Sequence, residues 1–256
     1  MESSNKYLAE SGHWYRGDGT PQYTIVGKNG KERGTTLRDA REFNLFPSVT
    51  TIMGMAAKPA LENWKIDQAL LSALTLPRNE GESLDDFMAR AKKDAKDSSY
   101  KAAERGTEIH ADIERGFIHN APSPAYAAVR ACLDSMYPGE QWIAEGSFSC
   151  PEGFGGKIDL YSKRGIYVDF KSKELKDADI PEKLVYDEHG MQLSAYACGT
   201  GCHYPERISI FVDRIDCSKT LCHVWDKESH ERHLGMFLRL LEYWQLSKGY
   251  RAGGAA

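Results

Sequence analysis

Long hydrophobic runs are missing from this sequence: no stretch approaches the roughly 18 apolar residues that a membrane-crossing helix needs. The first ten residues, Met1 to Glu10, are polar and hold no apolar stretch of signal-peptide type, so a cytoplasmic protein is the expectation. Cysteine is sparse and scattered, at 132, 150, 198, 202, 217 and 222, without one Cys-x-x-Cys spacing. A chain of 256 residues buries enough core to fold without disulfide staples. Cys198 and Cys202 could share a helix face and, with Cys217 and Cys222, offer a zinc or iron–sulfur set. The tight paired spacing of such a site is absent, and free buried thiols are expected instead. An excess of one charge is also lacking: 33 Lys and Arg stand against 37 Asp and Glu, for a net charge of -4. That excludes a uniformly basic surface, so nucleic-acid contact has to come from local patches. There is no internal repeat, and the only biased stretch is the Ala/Gly tail, with residues 251–256 expected to be disordered.

What is present reads as a helical half followed by a strand-rich half. Residues 22–37 read as a hairpin turning at Lys28-Asn29-Gly30, since Asn-Gly is a strong turn signal. Ser48 then fits the N-cap of a short helix. Helical patterns follow over 59–75, 83–97, 99–117 and 123–136. From Gln141 the texture changes to three strand-like runs, 142–150, 156–162 and 166–171. A helix over 189–198, strands over 207–214 and 220–225, and an amphipathic helix over 227–248 close the chain. The order implies an α/β fold with a mixed central sheet flanked by helices and a helical N-terminal region. We divide it into a hairpin extension (1–45), one domain (46–250) and the tail (251–256).

The second and third strands carry the chemistry. Side chains alternate between faces, so Ile166, Val168 and Phe170 share one face and Tyr167, Asp169 and Lys171 the other. Ile158 and Leu160 fall on the apolar side of the preceding strand, Asp159 and Tyr161 on the polar side. A three-residue loop, Lys163 to Gly165, pairs Ser162 with Ile166 and sets Asp159 opposite Asp169. Two facing carboxylates repel unless a cation lies between them. A hard divalent ion with oxygen ligands suits the pair, Mg²⁺ above all. Lys171, on the same face, would aim its ammonium at the same spot and hold a phosphate or orient water. The pattern alone serves an amphipathic hairpin with a wet polar face equally well.

Asp159, nine residues, then Asp169-Phe170-Lys171, approached through Gly155-Gly156-Lys157-Ile158, resembles the signature of the PD-(D/E)xK nucleases. Arg105-Gly106-Thr107-Glu108-Ile109-His110 with Glu114 resembles the glycine–histidine helix of their RecB-like branch, and Gln192 with Tyr196 its Gln-xxx-Tyr helix. Phe46-Pro47-Ser48-Val49-Thr50 with Leu61 and Trp64 is similar to the N-terminal region of mitochondrial genome maintenance exonucleases and related phage exonucleases. The likeness runs from about residue 46 to 226. It implies a restriction-endonuclease-like core and a metal-dependent DNA exonuclease serving phage or bacterial recombination, repair or replication, in the host cytoplasm if phage-encoded. It also implies Mg²⁺ or Mn²⁺ as cofactor and single-stranded DNA or duplex ends as substrate, with room for a recombination partner protein. The metal ligands would be His110, Asp159 and Asp169. Lys171 would be the catalytic lysine, and Gln192 and Tyr196 would support it. The second acid is Asp169 where Glu is more usual, and the cysteine pattern of the iron–sulfur members is missing.

Other residues remain two-sided. Glu145, on the strand before Asp159, fits a further metal ligand or a solvated strand glutamate. Arg90, Lys92, Lys93, Lys96, Lys101 and Arg105 form the densest basic cluster, but Asp94 and Asp97 interrupt it, leaving a phosphate track and a solvated face equally open. Trp14, Trp64 and Tyr100 are candidates to stack on unpaired bases, or are core. Ser48 and Ser172 are candidate DNA contacts with bland alternatives as cap and strand-end residue. Rival functions are a structure-specific endonuclease and an inactive nuclease-fold DNA-binding scaffold. No separate sequence-reading module is visible, and the intact acidic pair with its lysine argues against the scaffold.

Overall fold

The structure, a computed structural model, describes residues 12–253. A short strand β1 (Trp14–Tyr15) pairs antiparallel with β4 (Phe46–Pro47), enclosing the hairpin of β2 (Thr24–Val26) and β3 (Glu32–Gly34) and the helix α1 (Leu37–Phe43). The hairpin turns where expected. Gly30 takes a φ of 72°, and Asn29 Oδ1 accepts from Lys31 N at 3.1 Å. Helices α2 (Val49–Met53), α3 (Pro59–Thr75), α4 (Leu84–His119) and α5 (Pro124–Met136) follow, and Ser48, Ser83 and Ser123 cap α2, α4 and α5.

The helices expected over 83–97 and 99–117 are one helix of 36 residues. Asp97-Ser98-Ser99 lacks strong helix formers, but each costs well under ~1 kcal/mol. Ser99 Oγ donates to the Ala95 carbonyl at 2.9 Å, so its hydroxyl is satisfied within the helix and breaks nothing.

The main sheet has five strands in the order β5 (Trp142–Cys150), β6 (Phe154–Ser162), β7 (Ile166–Lys173), β8 (Glu206–Asp213), β9 (Thr220–Val224). All neighbours are antiparallel except β7 and β8, which run parallel because α6 (Pro181–Leu184) and α7 (Asp187–Gly199) carry the chain back between them. Helices cover both faces. Ile109, Ile113, Val129 and Leu133 of α4 and α5 pack on Ile166, Val168, Phe170, Ile208 and Ile210. On the other side α7 and α8 (Ser229–Lys248) bring Leu193, Ala197, Phe237 and Trp244 against Phe154, Ile158 and Tyr167. Among the described residues no helix is long and apolar enough to cross a membrane.

A buried arginine fixes α7 over the sheet. Arg207 of β8 is 1% exposed. It donates to Ser194 Oγ of α7 at 2.9 Å, to the Asp226 carbonyl at 2.7 Å and to Ser229 Oγ at 2.8 Å, and lies 3.0 Å from His233 Nδ1 of α8. Burial lowers the pKa of its guanidinium to about 10, still charged at neutral pH.

Three sequence expectations are corrected. Trp14 is 3% exposed and packs edge-on against Trp244, so it is core and not a stacking platform. The tail holds on longer than its composition suggests: Ala252 is fully buried with Tyr15 and Phe46, while residues 254–256 lie outside the described part. The six cysteines are free, but only Cys150 is buried and the other five are half-exposed.

Candidate active site

Opposite Asp159 the sheet comes apart locally. The β6–β7 ladder pairs Tyr161 with Tyr167 and Leu160 with Val168, the register that puts Asp159 across from Asp169, yet the pairing stops before reaching the two aspartates. On the other edge of β6, Ala144 pairs with Leu160 and Gly146 with Ile158, and the intervening Glu145–Asp159 pair is skipped. Glu145 itself adopts a left-handed φ of 61°, strained for a residue with a side chain. Side-chain alternation slips at the same place. Ile158 packs under α7 and α8 whereas Leu160 packs under α4 and α5, correcting the expectation that both share one face. A regular ladder would use these backbone groups on neighbouring strands; here the Phe170 N–H turns to the Asp159 carboxylate, within a cluster of polar side chains.

That cluster draws on four elements. Asp159 Oδ2 accepts the backbone N–H of Phe170 at 2.9 Å and lies 3.7 Å from His110 Nδ1 of α4. Asp169, 1% exposed, has its Oδ2 2.7 Å from Lys171 Nζ. Beyond this ion pair no hydrogen-bond partner reaches the buried oxygen, which keeps acceptor capacity. Lys171 Nζ donates to Gln192 Oε1 at 3.0 Å, and Gln192 Nε2 donates to Tyr196 Oη at 2.8 Å. Gln192 and Tyr196 stand one turn apart on α7, so both reach the sheet. The His110 ring packs edge-on against Phe170, which fixes its position at the mouth of the site. Close backbone approach makes this possible. A Cβ on Gly106 would lie 2.6 Å from Ser172 Oγ, and one on Gly156 would lie 3.1 Å from the Tyr196 ring, so α4 and α7 reach the strands only because side chains are missing there.

The electrostatics separate the two acids. Burial raises Asp169 to about 6: with the Asp159 charge also raising it, this outweighs the Lys171 ammonium. Burial works against charge on Asp159 too, but the His110 imidazole, the Phe170 N–H and Lys171 together hold it below the ordinary carboxylate range. Burial likewise opposes charge on His110, and Asp159 overcomes it, raising His110 above the usual histidine value. Burial also drives the Tyr196 phenol well above 10, so it stays a neutral hydrogen-bonding group. At neutral pH the site thus holds two ionised carboxylates of unequal basicity, one cation and a histidine ready to carry charge.

Two carboxylates and an imidazole are the right donor types for a hard divalent cation, and the unused capacity of Asp169 Oδ2 fits one. Among the described residues, however, no three His, Cys, Asp or Glu side chains are closed into a metal-holding group. Lys171 supplies balancing positive charge.

The other sequence candidates disperse. Glu145 forms an ion pair with Lys157 instead of joining Asp159 and Asp169. The pair is diagonal across β5 and β6, and the register, unavailable from sequence, would have shown it. Ser48 is 3% exposed; its hydroxyl accepts from Thr51 N at 3.0 Å and bonds the Thr50 and Thr51 hydroxyls, so it is a buried cap with no free face for DNA. Arg105 joins α4 to the β8–β9 region through the Arg214 carbonyl at 3.4 Å and Cys217 Sγ at 3.2 Å. Ser172 is half-buried against Gly106. Trp64 is half-buried on α3, and Lys93 is exposed on α4. The Phe170 amide, which orients Asp159, gave no signal in the sequence.

No protein-family profile matches this chain, and no curated protein is significantly similar to it. Among solved structures it is similar to the alkaline exonuclease LHK-Exo from Laribacter hongkongensis, at 16% identity and a TM-score of 0.35 over 73% of this chain and 98% of that one. The same enzyme in complex with dAMP gives 17% identity and a TM-score of 0.36 over 71% and 91%.

Proposed function

We propose that the chain is a metal-dependent deoxyribonuclease of the PD-(D/E)xK class, RecB-like branch, that hydrolyses DNA from an end in phage or bacterial recombination, repair or replication. The observation that carries the reading is the gathering of Asp159, Asp169, Lys171 and His110 at the one place where the β6 ladder opens on both sides. Asp159, Asp169 and His110 would hold Mg²⁺ or Mn²⁺. When bound, such an ion polarises a phosphate and makes water acidic enough to attack it. The residues divide the remaining work. Lys171, held by Gln192 and by Asp169, presents an ammonium to a scissile phosphate or to the attacking water, where charge develops as the phosphorus–oxygen bond breaks. Gln192 and Tyr196 keep that ammonium in place from α7. The resemblance in sequence motifs supplies DNA and end-wise action.

The test uses end-labelled single-stranded and duplex DNA and a covalently closed circle, each with protein and Mg²⁺ or with chelator. Loss of linear DNA with circles spared, and nothing in chelator, is the expected result. Nicked circles would make the enzyme an endonuclease. Full cleavage in chelator would remove the metal, and no cleavage of any substrate with any metal would overturn the nuclease reading.

A further inference from the structure

Helix α4 extends well beyond the sheet. Its C-terminal half docks through Gly106, Ile109 and Ile113, while its N-terminal half packs with α3 as a two-helix arm. At 3.6 residues per turn, Lys92 lies five whole turns before His110 and therefore on the same side of the helix, about 27 Å away along its axis. Lys96, Ser99 and Ala103 fall within about 40° of that line, and Tyr100 beside it. From Met88 to His110 no acidic residue lies on this side. The acids that interrupt the basic cluster in sequence are elsewhere. Asp94 turns into the arm, accepting from Ser72 Oγ at 2.9 Å, while Asp97, Glu104 and Glu108 lie at least a quarter of a turn away, interleaved with Lys93 and Lys101, and Glu108 is paired with Arg105. Lys92 and Lys96 are exposed and take part in no ion pair among the described residues, and Lys96 Nζ sits 5.4 Å from the centre of the Tyr100 ring.

We infer that this side of α4 is a guide for a single strand of nucleic acid, leading it along Lys92, Lys96 and Tyr100 to His110 and the aspartates. The inference rests on the nuclease reading and gives it a substrate form. One row of cations follows one phosphate backbone, and an exposed aromatic ring beside it offers a base a surface to stack on. A duplex laid on the same track would engage only one of its two backbones, so the track gives it no advantage over a single strand.

The experiment measures binding by fluorescence anisotropy on Asp169→Asn protein, so that no strand is cut. The probes are a labelled thymidine oligomer of about 20 nucleotides, longer than a typical single-strand groove, and a hairpin-closed duplex of equal length. Lys92→Glu with Lys96→Glu should weaken oligomer binding by about tenfold or more and reduce the salt slope of log affinity by about 1.4, two phosphate contacts' worth. Lys65→Glu with Lys101→Glu makes the same charge change off the track and should leave both within about twofold. Equal losses for both pairs would reduce the effect to net charge and overturn the guide. An equal loss on the duplex would overturn the single-strand assignment. Because binding is read without turnover, these results stand apart from any failure to detect cleavage.

Discussion

Replacing Asp169 by Asn removes a charge that the fold holds at a cost. The carboxyl is 1% exposed, and its pKa is raised from an ordinary 3.8 to about 6. At ~1.4 kcal/mol per pH unit that displacement corresponds to about 3 kcal/mol. The sign follows from the direction. The folded state binds this proton more tightly than the unfolded chain does, so the full contribution is present below 3.8 and is lost as pH rises through about 6. Above that, the ionised Asp169 burdens the protein by about 3 kcal/mol, a net figure that already includes its pairing with Lys171. The stability of Asp169→Asn relative to wild type should therefore be near parity at pH 3.5 and rise to about 3 kcal/mol by pH 8. Urea unfolding followed by circular dichroism, at intervals across that range and in chelator, reads the difference directly. Added Mg²⁺ should close the gap by stabilising the wild type alone. A difference independent of pH, or a mutant less stable at pH 8, would refute the argument from burial. The same mutant should cleave no DNA.

Lys171→Ala should lower the maximal cleavage rate by at least ~100-fold while DNA affinity changes little, because the ammonium serves charge that appears only in the transition state; steady-state kinetics with a labelled oligomer separates the two. His110→Ala should weaken activation by Mn²⁺ at least as much as by Mg²⁺, seen in metal titrations of the rate, since imidazole suits the softer ion. An unaffected mutant would reduce His110 to a helix residue. Ca²⁺ should support DNA binding without turnover, because its longer bonds activate water poorly. Gln192→Ala should lose more activity than Tyr196→Phe, as Gln192 touches Lys171 directly and Tyr196 only through it. The reverse order in a rate assay would contradict that chain of contacts.

The sheet, its flanking helices and the facing of Asp159 with Asp169 were legible because period-two patterning and a three-residue loop constrain register tightly. The union of two expected helices into α4 was not: local propensity marks Asp97-Ser98-Ser99 as a break, and only packing along the rest of the helix overrides it. Ser48 was legible as a cap, but its burial depends on the β4 segment folding against Gly155, a contact far apart in sequence. Glu145 fitted a fourth ligand and a solvated strand glutamate alike because carboxylate type is visible and partner is not; the strand register that gives it Lys157 is a tertiary property. The basic cluster looked interrupted by Asp94 because sequence lists residues in line, whereas the helix sorts them by angle.

The hydrogen bond from the Phe170 amide to Asp159 Oδ2 has a consequence for observation. A cation at the aspartates would compete with that amide for the same oxygen lone pairs. Loading the site should then shift the Phe170 nitrogen and proton resonances and quicken exchange of that one amide with solvent, against a background of protected neighbours in β7. A single backbone N–H would thus report cation binding from inside the sheet, before any substrate is added.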